Sequence, residues 1–223
     1  MLKNFFFLWV CDGHGKCGHF ISDHAKLYIP ANIQYLEIEK NVEKHDKDLS
    51  SLFKNLFTLN ECSDVKETNM IKYLYDKFGV NASEISFVKR SLKDINSTLT
   101  EAFIKANDDL KNRDFDLETS GSTVCTVFIC GKSLFCANLG DSRAILGSYI
   151  EQDNIWNVTQ LTKDHKPDEE NELKRIEDRG GRVGPYRNEN NVESGPPRVW
   201  LPNEDSPGLA MSRSIGDTLA AQI

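Results

Sequence analysis

The first clear pattern in the chain is an apolar run, Phe5–Val10, that is followed at once by polar residues and glycines. A short apolar run bounded by glycine predicts a strand that is buried on both faces. Asp12 follows this strand, and Gly13 and Gly15 allow the backbone to turn sharply or to approach another segment closely. A carboxylate beside a glycine carbonyl offers the hard oxygen ligands that magnesium or manganese prefers. The simpler interpretation is that Asp12 caps the helix that follows.

Apolar residues recur at helical spacing in four further segments. They predict a helix that begins near Phe20 and ends at about Pro30, and two shorter helices over residues 49–57 and 71–78. The longest pattern covers residues 85–110 and predicts an amphipathic helix with one continuous apolar face.

After residue 120 the pattern changes to β-branched and alternating residues. Residues 124–129, 134–139 and a segment that begins at Ala144 predict three strands of an antiparallel meander, and residues 155–161 predict another strand. Long helices combined with antiparallel strands predict an α+β fold and not a parallel doubly wound sheet.

Asp141 is the second aspartate beside a glycine at the end of a predicted strand. It is either part of an Asx-type turn or an acidic ligand near Asp12. His165 precedes a helix that ends at a pair of glycines, and we expect a structural role for it. Residues 182–207 are rich in glycine, proline and asparagine, which predicts an irregular loop with one short strand-like piece at residues 198–201.

The composition narrows the class of protein. A chain of 223 residues can form one large domain or two small ones. The net charge of -7, without a basic block, argues against a surface for nucleic acid or for an anionic membrane. The six cysteines are scattered, which is typical of reduced thiols. The apolar run at the start suits neither a signal peptide nor a membrane span, so we expect a cytoplasmic or nuclear protein.

Six short stretches together resemble the metal-dependent serine/threonine protein phosphatases of the protein phosphatase 2C (PPM) family, in the order that the family has them. They are VCDGHG (10–15), SGST (120–123), ANLGDSRAIL (137–146), LTKDHKP (161–167), RIEDRGGRV (175–183) and GLAMSRSIGD (208–217).

The resemblance implies both a fold and a reaction. The fold would be two antiparallel β-sheets packed as a sandwich, with α-helices on both outer faces. Residues 1–223 would be one catalytic domain, with residues 182–207 as a flap beside the active site. The reaction would be the hydrolysis of phosphoserine or phosphothreonine in phosphoprotein substrates, by a water that bridges two Mg²⁺ or Mn²⁺ ions.

The resemblance also assigns roles to single residues. Asp12 corresponds to the aspartate that bridges the two metal ions, and Gly13 to the glycine whose carbonyl ligates one of them. His14 corresponds to the histidine proposed as general acid for the leaving alkoxide. Asp141 corresponds to an aspartate of a weaker third metal site in some members, and Asp217 to an aspartate that we expect to be structural.

Two groups of family residues have no counterpart in the sequence. The family places a phosphate-binding arginine and an acidic pair before its DGH motif, and two further metal-binding aspartates after the stretch that matches residues 208–217. We therefore expect a copy of the domain that is incomplete at both ends and weakly active or inactive. In addition, Lys16 stands where the family usually has a second glycine.

Two alternatives remain open. One is a non-catalytic, phosphatase-like binding module, although the retention of Asp12, Gly13 and His14 favours an enzyme. The other is a small zinc site whose ligands would be Cys11, His14, Cys17 and His19. That spacing lacks a regular paired-ligand pattern, and Cys11 and Asp12 should point to opposite faces of a strand.

Overall fold

A computed structural model describes residues 5–42, 92–130 and 133–223. The chain divides into two compact units, one of Met1–Lys3 with Pro30–Ala102 and the other of Asn4–Ile29 with Phe103–Ile223. The boundary between the units falls within two helices, α1 (Gly18–Val42) and α2 (Leu92–Leu110). No helix in the described ranges has both the length and the apolar character needed to cross a bilayer.

Helix α1 continues through Pro30, so the predicted stop at this residue is wrong. A proline inside a helix costs on the order of 3 kcal/mol, because it removes a hydrogen bond and crowds the preceding turn. Ile33 and Leu36 are buried beyond it, 6% and 8% exposed. Burial of one such side chain contributes roughly 1.5–3 kcal/mol. The two together are enough to offset the cost of the proline, and the helix persists.

Helix α2 confirms the C-terminal part of the long amphipathic pattern. Its buried apolar residues lie three or four positions apart, as one face of a helix requires. They are Ile95, Leu99, Ala102, Ala106 and Leu110. The predicted helices over residues 49–57 and 71–78, and the start of the long pattern at residues 85–91, lie outside the described residues.

The second unit contains the described strands and the remaining short helices. The strands are β1 (Phe5–Val10), β2 (Gly13–His14), β3 (Gly121–Ser122), β4 (Val124–Cys130), β5 (Ser133–Leu139), β6 (Ile145–Ile150), β7 (Ile155–Gln160), β8 (Arg182–Arg187), β9 (Glu193–Trp200), β10 (Pro207–Leu209) and β11 (Ile215–Gly216). Helix α3 is Glu170–Asp178, and a 3₁₀ turn covers Ala220–Gln222.

All the strand pairs between described residues are antiparallel, which confirms the α+β class. The sheets have the orders β1-β4-β5, β11-β3-β2, β10-β9-β8 and β6-β7. The β4–β5 hairpin is as predicted. Strand β6 pairs with β7 and not with β5, so the prediction of a three-stranded meander is wrong. The chain leaves the β1-β4-β5 sheet after β5 because Ala144 is held elsewhere. Its N–H donates to Thr162 Oγ1 (2.9 Å) and its carbonyl accepts from Leu161 N (2.9 Å).

The segment predicted to be an irregular loop, residues 182–207, forms the β8–β9 hairpin and leads into β10, so that prediction is wrong. Apolar residues spaced along these strands pack on α3 and on the 3₁₀ turn, and this packing orders a segment of unfavourable composition. The buried cluster consists of Ile176, Val199, Leu209 and Ile223, with Val183, Leu201, Met211 and Ala220 packed against it. Movement of the hairpin as a flap stays a prediction.

An ion pair joins α3 to the segment that leads into β11. The Arg213 guanidinium donates from Nη2 to Glu172 Oε1 (2.6 Å) and from Nε to both Oε2 (2.9 Å) and Oε1 (3.1 Å), and Arg175 Nη2 donates to Oε2 (3.2 Å). Burial by itself would raise the pKa of Glu172, but the hydrogen bonds from Arg213 lower it to about 2. This ion pair helps to fix the position of the segment that leads to Asp217.

Candidate active site

Asp12 lies two residues after the end of β1, and its backbone is fixed while its carboxylate is exposed. The Asp12 N–H donates to Thr123 Oγ1 (3.0 Å), and the Thr123 N–H donates to the Asp12 carbonyl (2.9 Å). Within the described residues, the Asp12 carboxylate makes no hydrogen bond or ion pair. A fixed backbone with a free carboxylate is suited to a ligand for a cation, and it does not act as the cap of α1.

Gly13 permits a close approach of two parts of the same loop. A Cβ atom at Gly13 would lie 2.2 Å from the carbonyl oxygen of Gly18, at the start of α1. No other residue type fits at this distance, so the predicted need for a glycine at position 13 is confirmed. The loop is also tied to the strand region, because the Cys17 N–H donates to Ser120 Oγ (3.1 Å).

Asp12 and Asp141 lie at the same end of the β1-β4-β5 sheet. The last residue of β1, Val10, pairs with Cys125, and the last residue of β5, Leu139, pairs with Val124. Thr123 connects the two ends, since its hydroxyl accepts from Asp12 N and lies 2.6 Å from Ser142 Oγ. The structure therefore brings the two predicted acidic residues to one edge.

The surroundings of Asp141 differ from those of Asp12, because Asp141 forms an ion pair with Lys166. His165 holds the loop that carries this lysine. The ring Nδ1 of His165 accepts a hydrogen bond from the Gly140 N–H (3.1 Å). The backbone N–H of His165 donates to the Gly140 carbonyl (3.0 Å). Burial, with a smaller effect of Arg213, lowers the pKa of His165. These contacts agree with the structural role expected for His165.

His14 contacts Asp217, which comes from the far end of the chain. Strand β3 lies between β2 and β11 and pairs with both, so that His14 and Gly216 both lie beside Gly121. His14 Nε2 is 2.7 Å from Asp217 Oδ2, and Ser214 Oγ bonds to the same oxygen. Asp217 is 2% exposed. The expected structural role of Asp217 did not include this contact with the candidate acid.

We tested the donor set against the metal ions that the sequence suggests. Mg²⁺ is often held by one or two carboxylates together with waters. The free carboxylate of Asp12 and the adjacent Gly13 carbonyl therefore fit one hard cation. They do not fit a metal pair, because Asp141 is occupied by Lys166 and no group of three His, Cys, Asp or Glu side chains that could hold a metal occurs in residues 5–42, 92–130 and 133–223. For the same reason the geometry gives no support to a zinc site of Cys11, His14, Cys17 and His19.

Three residues of the site had no role assigned from the sequence. They are Thr123 and Ser142, which connect the two aspartates, and Lys166, which pairs with Asp141. Each lies in one of the stretches that carry the resemblance, so the motifs mark their segments. Only the fold shows which atoms they contact.

Comparison with known proteins agrees with this fold. The family model for "Protein phosphatase 2C" matches residues 34–222. A curated relative from Arabidopsis thaliana, "Probable protein phosphatase 2C 52", is 35% identical over 97% of this chain and 42% of its own length. One from Oryza sativa subsp. japonica, "Probable protein phosphatase 2C 75", is 35% identical over 95% of this chain and 45% of its own length.

Among solved structures, a serine-threonine phosphatase 2C from Toxoplasma gondii shares the fold. Its TM-score is 0.59 at 22% identity, and the match covers 98% of this chain and 60% of that one. The chain therefore belongs to the protein phosphatase 2C family. It spans less than half the length of the two curated plant relatives.

Proposed function

We propose that this chain is part of the catalytic domain of a metal-dependent phosphatase that acts on phosphoserine and phosphothreonine in proteins. The observation that carries the proposal is the Asp12–Gly13–His14 segment, held at a sheet end by Thr123, with an Asp12 carboxylate that is exposed and has no polar partner among the described residues. Membership of the protein phosphatase 2C family supports the same reaction. We further propose that the substrates are phosphoproteins.

In this proposal Asp12 and the Gly13 carbonyl hold Mg²⁺ or Mn²⁺. Such an ion supplies an activated water near neutral pH and neutralises phosphate charge. His14 donates a proton to the leaving serine or threonine oxygen, a role that contributes typically 10²–10⁴-fold in rate where it has been measured. Asp12 supplies the ligand and His14 the acid, and the two residues are separated only by Gly13.

The isolated 223-residue chain should be a poor catalyst. Two divalent cations about 4 Å apart repel each other by roughly 4 kcal/mol even in water, so a metal pair needs several carboxylates. Asp12 offers one. The carboxylate of Asp141 could add a second only by losing Lys166. We therefore expect one weakly held ion and slow turnover.

The Asp141–Lys166 pair also favours a second candidate function, a phosphatase-like module that binds a phosphoprotein without hydrolysing it. A lysine that neutralises a metal-site carboxylate keeps the segment folded without a cation. Such a module would bind phosphopeptides and release no phosphate.

The test is phosphate release from a phosphoserine peptide by purified residues 1–223 with millimolar Mn²⁺, together with Mn²⁺ binding by electron paramagnetic resonance. We expect slow, manganese-dependent release and about one bound ion per chain, and Asp12→Ala should abolish both. Asp168→Ala, which changes an exposed aspartate, is the matched control and should change neither.

Each outcome distinguishes the candidates. Peptide binding without any phosphate release would contradict the proposal of an enzyme and support the proposal of a binding module. Rapid turnover that disappears in Asp12→Ala would contradict the prediction of weak activity and show that further carboxylates complete the site. Turnover that Asp12→Ala leaves unchanged would overturn the assignment of the site.

A further inference from the structure

We propose that Lys16 is a substrate-binding residue whose ammonium group contacts the phosphate of a phosphoserine or phosphothreonine substrate. Lys16 lies on the loop that joins β2 to α1, and its side chain is exposed. The identity of the substrate rests on the proposed function. The contact itself concerns the binding of phosphate, which can be measured whether or not the chain hydrolyses the substrate.

The backbone on both sides of Lys16 is fixed against one segment of the chain. Gly15 has a φ of +76°, and a Cβ atom there would lie 2.4 Å from the Thr119 carbonyl oxygen. The Cys17 N–H donates to Ser120 Oγ (3.1 Å). Because both neighbours of Lys16 are held against the same segment, the position from which the lysine side chain extends is fixed as well.

The same loop places Lys16 close to the residues of the candidate active site. His14 is two positions before Lys16, and two residues span at most about 7 Å even when the chain is fully extended. The Gly18 N–H donates to the Gly15 carbonyl (3.3 Å), so Lys16 lies at the second position of a turn. A lysine side chain has a flexible four-carbon stem, and its ammonium can therefore reach a phosphate held beside Asp12.

The Lys16 ammonium has no partner of its own within residues 5–42, 92–130 and 133–223, where its side chain forms neither a hydrogen bond nor an ion pair. Three other lysines of these ranges each pair with a carboxylate. They are Lys111 with Asp108, Lys163 with Glu169, and Lys166 with Asp141. A lysine ammonium has three N–H donors and no acceptor. At Lys16 these donors are available to an anionic ligand.

The charge of the substrate requires a cation of this kind. A phosphate monoester carries about −1.5 to −2 charges near pH 7. One divalent ion on the Asp12 carboxylate leaves a net charge of about +1, which balances only part of the phosphate charge. Lys16 supplies a further positive charge from a fixed position beside the same loop, and lysine binds phosphate effectively as a point charge.

The first test measures phosphate binding and does not depend on hydrolysis. Inorganic phosphate is titrated into purified residues 1–223 with millimolar Mg²⁺, and binding is followed by ³¹P nuclear magnetic resonance. Lys16→Met, which keeps an unbranched stem but removes the charge, should raise the Kd about 3- to 30-fold. This range lies between the effect of an exposed ion pair and that of a hydrogen bond to a charged group. Lys16→Arg, which keeps the charge, should stay within about threefold of the unsubstituted chain.

Lys174→Met is the matched control for this substitution. Lys174 is also exposed and also has no side-chain partner among the described residues, but it lies on α3. Its substitution should change the Kd for phosphate by less than about twofold. Added salt should weaken phosphate binding by the unsubstituted chain more than by Lys16→Met, because ions in solution screen the contact that the variant lacks.

The second test uses turnover of two substrates, a phosphoserine peptide and p-nitrophenyl phosphate. Lys16→Met should raise KM by about the same factor for both and leave kcat within about threefold. A contact that is made equally in the ground state and in the transition state changes KM and not kcat. An equal effect on the two substrates would place the contact on the phosphate, which is the group that they share.

An unchanged Kd for phosphate in Lys16→Met would overturn the proposal, and so would the absence of phosphate binding by the unsubstituted chain. A KM that rises for the peptide alone would also overturn it, because Lys16 would then contact another part of the peptide. If phosphate binding depends on Lys16 but neither substrate is hydrolysed, the role of Lys16 stands and the proposed hydrolysis fails. If both substrates are hydrolysed and Lys16→Met changes neither KM nor Kd, the proposed function stands and the role of Lys16 fails.

Discussion

Asp12 and Asp141 show how the same residue type in the same local pattern can have different chemistry. Both follow a strand and both lie next to a glycine, at one end of one sheet. The Asp12 carboxylate makes no polar contact within the described part of the chain. Asp141 has the Lys166 ammonium beside it, and a cation could bind there only by displacing that lysine. The proposal of a metal ligand at this edge therefore rests on Asp12 and not on Asp141.

The close contact between Gly121 and Asp217 gives a prediction about stability. A methyl group at position 121 would lie 2.0 Å from Asp217 Oδ2 and 2.7 Å from the Ile215 carbonyl. Such overpacking costs typically about 1–3 kcal/mol, occasionally more. Gly121→Ala should lower the free energy of unfolding by about that amount and weaken the His14–Asp217 contact. Urea denaturation followed by circular dichroism measures the first effect.

Gly184→Ala is the matched control for this substitution. A Cβ atom at Gly184, in β8, meets nothing within 4 Å. Its free energy of unfolding should therefore change by less than about 1 kcal/mol, because only the entropy of the unfolded chain is affected. If Gly121→Ala lowers the free energy of unfolding no more than Gly184→Ala does, the inference that β3 packs tightly against Asp217 is wrong.

At the scale of elements, local pattern predicted strands and helices well and their partners poorly. Strand β1 has the predicted bounds, and β4 and β5 begin or end within one residue of them. The predicted burial of β1 on both faces is wrong, because Phe6, Leu8 and Val10 are 57%, 58% and 61% exposed. The pairing of β6 with β7 and the hairpin formed by β8 and β9 were missed. Pairing depends on contacts made across the chain, such as Ala144 with Thr162, and on burial against α3, which no window of neighbouring residues contains.

A buried histidine joins the two long helices. His24 in α1 donates from Nε2 to the Ala106 carbonyl in α2 (3.0 Å), and its ring stacks on Tyr28. Burial is the main cause that lowers the pKa of His24 to about 4, although the hydrogen bond to Ala106 opposes the shift and Arg113 adds to it. His24 is therefore neutral in the folded chain near pH 7.

The lowered pKa of His24 makes stability depend on pH. In the unfolded chain the group titrates at its ordinary value of 6.5, and in the folded chain at about 4. Between these values the unfolded state binds more protons, so the contribution to stability is complete above 6.5 and decreases as the pH falls toward 4. The full shift corresponds to at most about 3 kcal/mol.

We expect the free energy of unfolding to decrease between about pH 7 and about pH 4.5, and to decrease less steeply in His24→Gln, which keeps a donor but has no titrating ring. Urea denaturation across this range measures both slopes. Equal slopes for the two chains would show that His24 is not the group responsible.

At the scale of the whole molecule, the fold assembles the site from segments that the sequence can only mark. The motif around residues 10–15 was sufficient to select Asp12, Gly13 and His14. The contact between His14 and Asp217 joins residues 203 positions apart, and it exists because β3 holds β2 on one side and β11 on the other. Such a contact follows from strand order, and strand order is set by packing across the molecule.

The same molecule carries an apolar surface on its β6–β7 sheet. The strand register places Ile145, Tyr149, Trp156 and Val158 on one face, and they are 62%, 47%, 70% and 62% exposed. Monomeric proteins rarely leave contiguous apolar patches larger than a few hundred Å² in contact with water. We expect the isolated chain of residues 1–223 to self-associate as its concentration rises, and sedimentation velocity across a dilution series measures this.

Two lysine substitutions on neighbouring positions test whether this face is the cause. Trp156→Lys places a charge within the apolar face and should shift the association to higher concentration. Asn157→Lys adds the same charge on the opposite face of the same strand and should shift it much less, because the apolar face stays intact. If both substitutions act equally, net charge governs the association and the β6–β7 face does not. If the unsubstituted chain stays monomeric at all concentrations, this apolar surface is too small to drive association by itself.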